Sequence, residues 1–173
     1  MNRDPEHEEY GSPNPQAPHE LSQFAFIIGE WRCDVTVKGE DGTWQPYQAT
    51  WIGRYILDGN VIADEYRMTN RAGDLVVHGM NFRFYSVEKK GWVMRWLSAA
   101  GMWTELGSDE LGGVRVTPDT ITFHIVDPVA PDALSRVTFS NITDSYFKWK
   151  CEQSFDEGKT WAEFVLIDAH RSA

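Results

Sequence analysis

The imidazole of His78 and the carboxylates of Glu65 and Glu105 are the groups of this sequence best suited to move a proton. Histidine titrates near neutrality, so His78 beside either glutamate would make an acid–base pair. Such a pair suits cofactor-independent lyase, isomerase or cyclase steps. Each group also has a plainer reading, as a hydrogen-bonded core histidine or as half of an interstrand salt bridge. Glu65 and Arg67 alternate onto one face of their segment, and Asp64 and Tyr66 onto the other, so one of the two pairs must point inward. Arg54 or Arg95 could neutralise an inward Glu65. Around these groups Met80, Phe82, Trp96, Trp103, Phe123 and Trp149 would supply apolar walls, with Arg54, Tyr66 and Arg67 orienting a ligand.

Other chemistries lack their residues. No Cys-x-x-Cys, His-Glu-x-x-His or paired-histidine spacing points to a metal. No Gly-rich loop stands between a strand and a helix to cradle phosphate, and no Gly-x-Ser-x-Gly elbow is present. No cofactor is expected from the residues themselves. The formal net charge of −10 opposes nucleic acid and anionic membrane surfaces. No run of about 18 apolar residues exists to span a bilayer. Two cysteines, Cys33 and Cys151, and an N-terminus without a signal-peptide pattern lead us to expect a cytoplasmic protein with free thiols.

These side chains need a scaffold, and the sequence describes one. Residues 1–20 are polar and carry Pro5, Pro13, Pro15 and Pro18, as expected of a flexible N-terminal arm; His7 and His19 lie in it without a second ligand at useful spacing. Leu21, Phe24, Ile27 and Ile28 share one face of a short helical segment that could plug a barrel. From Gly29 onward the period is two. About ten short strands follow, separated by turns such as Asp58-Gly59-Asn60, Pro128 to Asp132 and Asp156-Glu157-Gly158-Lys159. A meander of that length leaves two free edges unless it closes, so residues 21–173 are expected to form one all-β domain. We expect a closed up-and-down antiparallel barrel of about ten strands, with a sandwich as the alternative.

The more apolar phase of each strand assigns an inward face. It selects Trp31, Cys33, Val35 and Val37, then Val76, His78, Met80, Phe82 and Phe84, then Trp92, Met94 and Trp96. Trp103 and Glu105 share a phase on the following strand. Later sets are Ile121, Phe123 and Ile125; Val137 and Phe139; and Phe147, Trp149, Cys151 and Gln153. His124 falls outward. The outward phase of the last strand carries Phe164 and Leu166, which would favour a homodimer.

Three segments resemble a bacterial family of uncharacterised calycin-like barrels, the DUF1579-type family. They are Phe26-Ile27-Ile28-Gly29-Glu30-Trp31 with Asp41-Gly42-Thr43-Trp44; Tyr55-Ile56-Leu57-Asp58-Gly59 with Asp64-Glu65; and Ser154 to Trp161 with Arg171. The resemblance implies that Gly29 and Trp31 close the base of the barrel. The wider superfamily includes lipocalins, fatty-acid-binding proteins and haem-binding nitrobindins, and implies a small hydrophobic or aromatic molecule in the cavity. In the nitrobindin branch a histidine of the terminal strand holds haem, which makes His170 the residue to examine for that alternative.

Overall fold

The computed structural model of the protein describes residues 9–126 and 132–172. His7 and most of the expected turn from Pro128 to Asp132 lie outside the described residues. The strands, in chain order, are β1 (Gly29–Lys38), β2 (Trp44–Ile56), β3 (Val61–Thr69), β4 (Leu75–Ser86), β5 (Gly91–Ser98), β6 (Trp103–Leu106), β7 (Val114–Val116), β8 (Thr120–Ile125), β9 (Leu134–Ser140), β10 (Tyr146–Ser154) and β11 (Ala162–Arg171). They form one antiparallel sheet in which β1 pairs with both β2 and β11. Leu106 of β6 meets Ile125 of β8. This contact closes ten strands into a barrel and leaves β7 as a short extra strand beside β8. Closure satisfies the edges that a ten-strand meander would expose.

One end of the barrel is stoppered. The plug is a 3-10 helix, His19–Ile27, that buries Leu21, Phe24 and Ile27. Its rings meet wall aromatics edge to face: Phe24 with Trp92 at 4.7 Å and Phe26 with Phe147 at 5.3 Å between centroids. The plug is fixed to the wall at several points, among them Trp92 Nε1 of β5 donating to Gln23 Oε1 at 3.1 Å. The indole Nε1 of Trp31 donates to the Ile27 carbonyl at 3.0 Å. The same carbonyl lies against the backbone of Gly53, where a Cβ would stand 2.3 Å from its oxygen. On the outside of the base, Arg171 spreads over the Trp31 ring at 4.2 Å and donates to the Ile28 carbonyl at 2.7 Å. Gly29 adopts φ +106°, and a Cβ there would meet that guanidinium. Gly29, Trp31 and Arg171 thus seal the base together.

Residues 9–18 run beside the β2–β3 hairpin. Asn14 donates from its backbone N–H to Gly59 at 3.0 Å and from its side chain to Asp58 at 3.1 Å. It therefore lies along the β2–β3 hairpin, and Tyr10 sits 5.9 Å from the Arg54 guanidinium. The β10–β11 turn closes on its own side chains: Ser154, the Thr160 N–H and the Thr160 hydroxyl all donate to the Asp156 carboxylate. No helix among the described residues is long and apolar enough to cross a membrane.

Because the Ile27 carbonyl occupies the space of a Gly53 side chain, Gly53→Ala is expected to displace the plug. Overpacking of this kind costs about 1–3 kcal/mol. Urea unfolding should report the loss, and an unchanged midpoint would mean that the plug is not seated on β2.

Candidate functional site

Pairing register and burial together fix which side chains enter the barrel. The expected inward phases hold for β1, β5, β8, β9 and β10: Trp31, Trp92, Met94, Phe123, Phe139 and Phe147 are all buried. On β3 the undecided pair resolves toward Ile62, Asp64, Tyr66 and Met68, which alternate as the buried set. Glu65 and Arg67 are on the outer wall.

On β4 the expected phase is inverted. The inward residues are Gly79, Asn81 and Arg83, and His78, Met80, Phe82 and Phe84 stand outside. Two interior demands explain this. Gly79 leaves room for the Trp96 indole, whose ring atoms would lie 2.4 Å from a Cβ at that position. Asn81 and Arg83 serve a carboxylate inside the barrel. Trp103 and Glu105 are corrected in the same way, because β6 pairs them with outward Leu97 and Arg95. Arg54 is exposed on the outer face of β2.

The acid–base constellation does form, but on the outside. His78 Nε2 lies 2.7 Å from Glu65 Oε1, with both side chains partly open to solvent. Glu105 instead accepts from Arg95 at 2.9 Å. Neither arrangement faces an enclosed space, so neither can exclude water from a substrate held in the barrel. His124 is also outward, with Nδ1 3.0 Å from the Leu111 carbonyl. His170 is exposed against Tyr146 at 5.1 Å between ring centroids. The inward positions of the described strands therefore carry no imidazole.

Their one carboxylate is Asp64, which is fully buried and was not singled out from the sequence as an inward polar centre. Its Oδ2 accepts from Trp51 Nε1 at 2.6 Å and from Asn81 Nδ2 at 2.7 Å. Its Oδ1 pairs with Arg83 Nη1. Arg83 is 2% exposed and lies over the Phe24 ring of the plug at 5.2 Å. Burial pulls its guanidinium down to about 9, still on the charged side at neutral pH. The only sequence signal was phase: Asp64 aligns with Tyr66 as Arg83 aligns with Asn81, a charge of each sign in facing strands.

This polar centre is roofed by aromatic rings. Trp51 touches Tyr66 at 5.3 Å and reaches Phe147 and Phe139 across the barrel at 5.5 and 5.9 Å. Beyond that layer, inward residues are partly exposed: Tyr47 on β2, Val77 on β4, Trp96 on β5, Trp149 on β10 and Val165 on β11. Trp149 pairs directly with Phe139 and Ile167, which are closed to solvent. The surface it exposes therefore faces the interior.

Polar atoms are sparse among the remaining buried inward side chains. The Tyr66 hydroxyl contacts the Met68 sulfur at 3.6 Å, and burial holds its ionisation far above the ordinary range. The Ser135 hydroxyl is buried without a hydrogen-bond partner among the described residues. Burial, aided by the charge of Asp34, pushes the Cys33 thiol up to about 12. Cys33 and Cys151 align with Ala169 and Val165 of β11, four residues apart, and are not bridged. Among the described residues, no three His, Cys, Asp or Glu side chains converge to hold a metal ion.

No protein-family model matches the chain. No curated protein matches it either. Solved structures do. Rv2717c from M. tuberculosis superposes with a TM-score of 0.62 over 91% of this chain and 100% of its own, at 12% identity. The S-type phycobiliprotein lyase CPES from Guillardia theta gives 0.54 over 88% and 90%, at 10% identity. EF1p2_mFAP2b bound to DFHBI aligns over 88% and 98% at 14% identity, with a TM-score of 0.45. At these identities the first two likenesses are of fold, the antiparallel β-barrel.

Removing Asp64 alone would strand a buried guanidinium, which typically costs about 3–5 kcal/mol. Asp64→Ala should unfold correspondingly earlier in urea, and Asp64→Leu with Arg83→Met should recover most of the loss. If the double variant were no better than the single, the pair would not be the source of the penalty. Cys33 is expected to stay unlabelled by a disulfide-exchange reagent at pH 8 until the protein unfolds, since its thiol remains protonated. Rapid native labelling at Cys33 would contradict that burial.

Proposed function

We propose that the barrel binds a small, uncharged hydrophobic or aromatic molecule at the end of its interior away from the plug. The observation that carries this reading is the inward, partly exposed surface of Trp149 and Trp96, set above the sealed layer of Trp51, Phe139 and Phe147. Rings that face inward and still meet solvent offer stacking surface to a flat ligand.

Charge selects the ligand class. Along the inward positions of the described strands the ionic groups are Asp64 and Arg83, engaged with each other, and Arg171 at the outer base. An anionic ligand would have to leave water without a free cation to receive it. The Tyr66 and Ser135 hydroxyls are each able to meet one polar atom of an otherwise apolar molecule. Of the residues weighed from the sequence, the proposal keeps Tyr66, Trp96 and Trp149; Phe123 lies in the sealed core beside Phe139. Arg54, Arg67, Met80, Phe82 and Trp103 do not belong to this site. The proton-transfer reading loses its pair to the outer wall, and the haem reading loses His170 in the same way.

Titration with the uncharged fluorophore N-phenyl-1-naphthylamine tests the reading. Binding is expected, weakened at least tenfold (about 1.4 kcal/mol) by Trp96→Ala or Trp149→Ala, and unchanged by His78→Ala. A carboxylated analogue should bind less well. Absence of binding, or equal affinity in the tryptophan variants, would overturn the proposal.

A further inference from the structure

The outer wall over β4, β5 and β6 is built like an interface. Outward Met80, Phe82 and Phe84 on β4 adjoin Leu97 on β5 and Trp103 on β6, through the pairs Met80–Leu97 and Leu97–Trp103. Four of the five count among the exposed large hydrophobic residues, and Trp103 is 57% exposed. Phe82 lies 6.1 Å from the Trp103 ring, so the patch is continuous across the strands. It is also the feature that inverts β4: the outward side of this strand is more apolar than the inward side.

We infer that this face is covered by the same face of a second copy of the chain. Three observations favour that occupant. First, the patch is locally neutral. Its rims carry Arg67 and Glu65 on β3 and Arg95 and Glu105 on β5 and β6, with His78 beside Glu65. Two chains of net charge −10 can meet most cheaply at such a balanced face. Second, the rims match in composition. A two-fold axis along β4 lays the β3 rim of one copy against the β5–β6 rim of the other, so a rim of one Arg and one Glu meets another of the same make-up. Third, the size fits. The five apolar side chains expose roughly 400 Å², about half of the ~800 Å² that each partner gives to a stable interface, and the ion-pair rim supplies the rest. Neighbouring β3 is fully paired on both sides, so the contact is face to face and extends no sheet. This surface is distinct from the Phe164 and Leu166 face of β11.

Sedimentation velocity of the full chain across a concentration series tests the inference. The wild type should sediment as a dimer that dissociates on dilution. Trp103→Glu and Phe82→Glu should each shift dissociation to at least tenfold higher concentration, with unchanged far-UV circular dichroism. Phe155→Glu, at a still more open hydrophobic residue of the β10–β11 turn, should have no effect. A wild type that stays monomeric at about 100 μM, where even weak transient dimers form, would overturn the inference. So would a dimer indifferent to Trp103→Glu and Phe82→Glu, or a monomer that floats with neutral phosphatidylcholine vesicles through this face.

Discussion

The seat of the Ile27 carbonyl governs the rest of the fold. That oxygen takes the Trp31 indole N–H and rests on Gly53, joining the plug to β1 and β2 at one point. Through it a nine-residue 3-10 helix becomes a floor. Rings from plug and wall then stack upward from that floor, and Arg171 closes the base from outside by covering Trp31. A short 3-10 segment has little stability of its own. Here its order derives from the aromatic surface it buries and from the wall's hydrogen bonds to its Ile27 and Phe26 carbonyls.

The Asp64–Arg83 pair belongs to the floor and is best understood with it. Charges this deep offset their desolvation only when nearly every hydrogen bond is met. Trp51 and Asn81 supply two of those bonds, and Phe24 covers the guanidinium. The cluster also orients Trp51, whose ring divides the sealed lower barrel from the partly open upper part. A charge pair that would be an awkward ligand site thereby sets the geometry of the proposed neutral site above it.

Much of the fold was legible in the sequence. The β2–β3 and β10–β11 turns fall at Asp58-Gly59-Asn60 and Asp156-Glu157-Gly158-Lys159 as expected, and the meander closes into a barrel. The candidate site was legible only where hydrophobicity and direction agree. Trp96, Phe123 and Trp149 point inward because their strands have one apolar face. His78, Met80 and Phe82 deceive because the inward side of β4 is reserved for Gly79, which admits the Trp96 ring, and for Asn81 and Arg83, which hold Asp64. Alternation reports which face is more apolar, and on β4 that is the outer one. Cross-strand neighbours decide the matter, and no single strand reveals them.

The proposed ligand is an uncharged aromatic molecule that enters the barrel above Trp51. Crystals soaked in 4-bromophenol test this most directly, through the anomalous signal of bromine. A peak is expected between the Trp96 and Trp149 rings, with the phenol hydroxyl near Ser135 or Tyr66. An interior found filled by protein side chains, with bromine only on the outer wall, would contradict the proposal.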